Sequence, residues 1–221
     1  MKFIKMFDKV KKKVQMGGFY VILSYYNHGE NMAKLIAALG NPGAEYEHTR
    51  HNIAWQALAR LPFYNELEWR NKFKGEYAVQ SLNGDEMFFL KPLTYMNRSG
   101  ESIQSLVRFF KLELADIIVL HDELELDFGV IGFKRNGGLG GHNGLRSIAA
   151  YLGSRDFNRM RLGISRPDHD DITSYVLGSF SPGERDFLPL VLEEAARLLE
   201  IYLQNGFDFV AERFKKKRVI P

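Results

Sequence analysis

The sequence predicts an α/β fold, a three-layer sandwich with a mixed, mostly parallel sheet and helices on both faces. Three observations carry this. From residue 34 onward, short apolar runs alternate with stretches of helical periodicity. The connections between them are short. One hairpin, residues 77–82 and 87–91 around Asn83-Gly84, makes a purely parallel sheet untenable.

The elements follow in order. Residues 34–39 form a buried strand ending in the turn Gly40-Asn41-Pro42-Gly43. Ile53, Ala57, Leu58 and Leu61 share a helix stripe that Pro62 closes. After the hairpin, Ile103, Leu106, Val107 and Phe110 predict a helix over 98–111. Residues 116–121 and 130–134 read as strands. Leu145, Ile148 and Leu152 define a third helix from Asn143, and 159–164 a further strand. Phe187, Val191, Ala195, Leu198 and Tyr202 mark a long helix, and 207–218 a final amphipathic one. As a competing reading, Asn97 or its rival Ser99 could cap the second helix, and Asn143 the helix beginning at Gly144.

Residues 1–31 differ from this body and give no clear periodic element. They carry six lysines against Asp8 and Glu30, while the rest of the chain is within one charge of neutrality, so the overall +3 comes from the front. The segment reads as an upstream extension of uncertain role, disordered or set before a displaced start. A basic targeting or RNA-binding arm is the competing reading. Residues 32–221 read as the main folded domain. The run Phe19–Tyr26 is short and no small-residue cleavage site follows it, so a secretory leader is not expected. No apolar run is long enough to span a membrane. Cysteine is absent, which excludes disulfides, thiolate catalysis and zinc–cysteine sites. We expect a cytoplasmic monomer without cofactor.

Several motifs are missing. There is no Walker-type phosphate loop, no dinucleotide-binding glycine fingerprint, no G-x-S-x-G elbow and no H-E-x-x-H helix. His48 and His51 are spaced to share a helix face, but no third ligand accompanies them, so no metal is expected. What remains are polar clusters at element ends: the turn at Asn41, Thr49-Arg50-His51-Asn52, residues 91–100, His121-Asp122, and the glycine-rich stretch 137–144. Parallel strands would bring such ends to one edge. An imidazole at His51 can take a proton from water, and Asp122 can hold its other nitrogen. Asn97 and Asn143 can donate to a carbonyl or its oxyanion. Between Lys134 and Arg166 there are seven basic residues and one acid, Asp156, a pattern suited to phosphates or to an ordinary solvated face.

Taken together, LIAALGNPGAEYEHTRHN, KFKGEY, KPLTYMNRSG, HDELELDFG, GGLGGHNGLRSI, DFNRMRLGISRP and YVLGSF, in this order, resemble bacterial-type peptidyl-tRNA hydrolases over residues 34–215. The resemblance implies hydrolysis of the ester between a peptide and the 3′ end of tRNA, recycling peptidyl-tRNA released from ribosomes. It implies His51 as base, Asp122 as its partner, and Asn41, Asn97 and Asn143 as substrate holders. Tyr46, Met96 and His142 would line the peptide channel. Lys134 and Arg161 match family residues that grip the terminal phosphate of the acceptor stem. Leu139, Ala54 and Phe128 depart from the usual pattern without removing a catalytic atom. A catalytically idle RNA-binding relative is the alternative, and a nucleoside- or phosphate-handling enzyme on a similar sandwich a weaker one.

Overall fold

The computed structural model describes residues 9–16, 19–26, 34–82 and 84–221. Much of the extension, and Asn83 of the predicted hairpin turn, lie outside the described residues. Within the front segment, β1 (Lys9–Met16) and β2 (Phe19–Tyr26) pair antiparallel as a separate two-stranded sheet, Lys9 opposite Tyr26. Sequence periodicity gave no element there, although the β-branched and aromatic content of 19–26 favours extended backbone.

The body is built on β3 (Lys34–Ala38), β4 (Arg70–Lys72), β5 (Gly75–Leu82), β6 (Asp85–Pro92), β7 (Ile117–Glu123), β8 (Val130–Arg135), β9 (Asn158–Gly163) and β10 (Lys217–Arg218). They form one eight-stranded sheet in the order β10-β8-β9-β7-β3-β6-β5-β4. The centre, β9-β7-β3-β6, is parallel, and both flanks are antiparallel. The four parallel strands therefore end at one edge, and every polar cluster singled out above follows or closes one of those strands or their neighbours.

Alternation along β3 divides the core. Ile36 and Ala38 face a layer containing α1 (Ile53–Leu58), α5 (Pro182–Asn205) and α6 (Phe207–Arg213). Leu35 and Ala37 face α2 (Ser99–Phe110) and α3 (Asn143–Leu152). Two buried clusters thus sandwich the sheet, each fully buried Leu, Ile or Phe contributing about 1.5–3 kcal/mol. Among the described residues no helix is long and apolar enough to cross a membrane.

Two expectations are corrected. The final helix stops at Arg213, and Lys217–Arg218 instead adds to β8 as an edge strand. A helix would have stacked Lys215–Arg218 as like charges on neighbouring turns, whereas an exposed strand edge accommodates lysines well. The caps also differ. Arg98 precedes α2 without a side-chain cap bond, Ser99 Oγ donates to the Met96 carbonyl, and His142 rather than Asn143 caps α3. The short elements β4 and α4 (Ile172–Leu177) escaped the pattern reading.

Candidate active site

The site assembles where β3, β6 and β7 end. Asp122 is the sixth residue of β7 and is 3 % exposed. Residues Arg50–Asn52 form a 3-10 turn that leads into α1 and lays His51 across that strand end. His51 Nδ1 lies 2.9 Å from each Asp122 carboxylate oxygen. A carboxylate only accepts, so Nδ1 carries the proton and donates. Nε2 then presents its lone pair, and it makes no hydrogen bond among the described residues.

Burial alone would push the His51 pKa down, but the Asp122 charge and hydrogen bond outweigh it and hold the value above the ordinary 6.5. For Asp122, burial works to raise the pKa. The facing His51 and His142 win, keeping the carboxyl well below its usual 3.8. The buried acid is thus ionised, which is the state that steadies an imidazolium.

The turn bearing His51 is held from both sides. Arg50 donates to the carbonyls of Ser179 (2.6 Å) and Tyr175 (3.4 Å), pairs with Glu184 at 2.7 Å, and stacks on the Tyr175 ring. Glu184 also belongs to the capping box with Ser181 that starts α5. On the other side, Asn52 Oδ1 accepts from the Asn41 amide at 2.8 Å, and Asn52 Nδ2 donates to the Asn41 carbonyl at 3.0 Å. Asn41 Oδ1 in turn accepts from the Met96 amide at 2.7 Å. Three separate loops are so locked into one frame. Asn52 stood in a quoted motif but carried no assigned role; only the fold reveals that it pairs with Asn41.

Met96 is buried against the start of α3. A Cβ on Gly144 would come within 2.6 Å of its sulfur, so that helix can approach only with glycine there. Tyr46 is half-buried and meets Tyr95 edge-on, ring centroids 6.3 Å apart. Asn97 and Asn143 are both exposed, Asn97 in the turn after β6 and Asn143 at the first residue of α3. His142 reaches Asp122 with Nε2 at 2.9 Å, a contact the sequence did not suggest. His121 is fully buried and its pKa is driven well below 6.5, first by burial and then by His142. Its Nδ1–H donates to the Asp122 carbonyl at 2.7 Å, and its Nε2 has no partner among the described residues.

His48 and His51 do not cooperate: His48 is exposed and His51 buried. His51, Asp122 and His142 do bring ligand-type atoms within 4.8 Å of one another. Hydrogen bonds between these atoms already account for them, so the arrangement suits proton transfer. A separate groove of about 730 Å³ runs between α1 and α5, with Trp55 and Leu188 as walls and Arg60, Lys91 and Arg185 among its lining. It meets the catalytic turn at Asn52, and neither His51 nor Asp122 lines it.

Lys134 and Arg161 share a face of the β8–β9 pair, Lys134 opposite Arg159 and Arg161 opposite Gly132. Lys134 is exposed, whereas Arg161 is half-buried and lies 3.7 Å from Glu123. Arg159, only 1 % exposed, donates to the carbonyls of Gly138 (2.8 Å) and Asn136 and so pins the glycine-rich loop. The departures from the family pattern are packing residues: Ala54 is fully buried, Phe128 stacks near Phe180, and Leu139 packs on the α2–α3 side of the core.

Comparison with known proteins identifies the family. The family model described as peptidyl-tRNA hydrolase matches residues 35–221. A peptidyl-tRNA hydrolase of Geotalea uraniireducens is 43% identical over 188 residues, covering 85% of this chain and 98% of that protein. One from Listeria monocytogenes is 37% identical over 185 residues, covering 83% and 100%. The crystal structure of peptidyl-tRNA hydrolase from Acinetobacter baumannii superposes with a TM-score of 0.77 at 32% identity, over 85% of this chain and 97% of that one. By sequence over nearly the whole body and by fold, this chain belongs to the peptidyl-tRNA hydrolase family.

Proposed function

We propose that this enzyme hydrolyses the ester joining a peptide to the 3′ end of tRNA with His51 as general base and Asp122 as its orienting partner. The observation that carries this is the buried His51–Asp122 pair at 2.9 Å, at the parallel-strand edge beside the amide-bearing turns.

Water approaches the acyl carbon and gives a proton to His51 Nε2. The tetrahedral oxyanion is met by amide donors of Asn97 and Asn143, each such donor being worth about 3–4 kcal/mol. Asn41 holds the substrate and the Met96 loop together, and Tyr46 and Met96 line the peptide path. Collapse breaks the bond to the ribose oxygen, and the imidazolium returns its proton to that leaving group. Peptide acid and free tRNA result, with no covalent intermediate. Lys134 and Arg161 contact the acceptor-stem phosphate. The reaction recycles peptidyl-tRNA released from ribosomes, in the cytoplasm, by a monomer.

The test is hydrolysis of N-acyl-aminoacyl-tRNA by His51→Ala. Turnover is expected to fall by about 10⁴-fold or more, with an unchanged circular dichroism spectrum. Near wild-type turnover would discard His51 as base. Tight RNA binding without ester cleavage by the unaltered protein would instead mark an idle relative.

A further inference from the structure

His142 uses both ring nitrogens. Nδ1 accepts the backbone N–H of Gly144 at 3.1 Å and of Leu145 at 3.4 Å, capping α3. A nitrogen accepting from amides carries no proton, so the single ring proton sits on Nε2 and is donated to Asp122 Oδ1 at 2.9 Å. His51 differs. Its Nδ1–H is spent on the same carboxylate, and its Nε2 is unengaged among the described residues. Two imidazoles thus share one carboxylate, and only His51 can accept a proton without breaking a hydrogen bond.

We propose that His142 is a positioning residue for the ester hydrolysis: by anchoring Asp122 Oδ1 from the N-cap of α3, it fixes the carboxylate plane that aims His51. The inference rests on His51 being the base, as proposed above. It also ties the base to the helix whose first residue is Asn143, so the proton acceptor and one oxyanion donor are set by a single cap.

The charged and titratable surroundings support the assignment. Asp122 acts on His51, and His51 and His142 act on Asp122. His121 packs edge-on to His142 with ring centroids 5.1 Å apart, and Arg159 acts on His121 from β9. Beside them, Arg50 is engaged with Glu184, Glu123 with Arg161, and Arg146 with Asn143. Without His142, Asp122 would concentrate its charge on His51 and also rotate more freely. The first effect moves the His51 pKa further upward, and the second lowers turnover.

Two substitutions separate the two jobs of the ring. His142→Asn places an amide oxygen near the Nδ1 position, keeping the cap and losing the Asp122 bond. His142→Gln places an amide N–H near the Nε2 position, keeping the Asp122 bond and losing the cap. For His142→Asn we expect some loss of thermal stability from the buried carboxylate oxygen left without its donor, kcat reduced about tenfold by analogy with removal of a partner that orients a ligating histidine, KM little changed, and an acid limb of kcat/KM shifted to higher pH. For His142→Gln we expect a lower Tm, with the acid limb near its wild-type position. Nitrogen-15 NMR of the imidazoles should show His142 as the Nε2–H tautomer.

A raised KM with unchanged kcat and pH profile in His142→Asn would make the residue a substrate contact and overturn the proposal. So would an Nδ1–H tautomer. If the wild-type acid limb persists in His51→Ala, the base assignment itself fails. If that limb depends on His51 but is indifferent to His142→Asn, only the positioning role falls.

Discussion

The end of β7 and the β8–β9 edge lie close together in the sheet, yet the fold treats their polar groups oppositely. At Asp122, both carboxylate oxygens are engaged and the group is almost wholly buried. On the β8–β9 face, Lys134 is exposed and without an ion pair among the described residues, whereas the neighbouring Arg161 is largely buried, 3.7 Å from Glu123. The contrast follows from solvation. A charge taken out of water must have its partners built in. A charge left in water can wait for a phosphate at little cost. Polar partners are built in at one region and left open to solvent at the other.

The sharpest way to break this contrast is Asp122→Asn. It removes the charge that offsets burial of His51, so turnover should drop about 10³–10⁴-fold. The His51 pKa, now above 6.5, should fall back as burial acts unopposed. With His51 as the proposed base, neutral imidazole is the active form, so kcat/KM should rise with pH along a limb centred above 6.5. The stability signs are opposite for the two partners. His51 contributes fully below 6.5, and its contribution is lost as pH rises through its raised value. Asp122 contributes above 3.8, and its contribution is lost as pH falls through its lowered value. Acid titration of unfolding free energy, wild type against Asp122→Asn, checks this.

A smaller effect is expected at the basic edge. Lys134→Ala should raise KM for the tRNA substrate and reduce the slope of log affinity against log salt by about 1, leaving kcat intact. An unchanged salt slope would remove Lys134 from the RNA contact. The smallest change is expected from Glu123→Gln. Freeing Arg161 should tighten RNA binding by about twofold, a small effect because the pair is long at 3.7 Å. Weaker binding would show that Glu123 holds Arg161 in its useful orientation.

Much of the fold was legible because it is written in periodicity. The apolar runs of β3, β7 and β9 and the stripe of α2 each stand out within a few residues. The short, exposed β4 bears no pattern to read. The end of α6 depended on a strand partner, β8, more than 80 residues away. At the site, His51, Asp122 and the asparagines were identifiable as residue types at strand ends and through family resemblance. The sequence could not show that His142 reaches Asp122 across 20 positions, or that an imidazole replaces the expected asparagine as cap. Capping rules are framed around side-chain oxygens, and the Nδ1 lone pair of histidine fulfils the same role unannounced.

The guanidinium of Arg50 has one more consequence. It binds the turn bearing His51 to the carboxylate that seals the beginning of α5. Fraying of that helix start therefore releases the His51 turn before the central strands separate, so, with His51 as the proposed base, heat should silence the enzyme ahead of global melting.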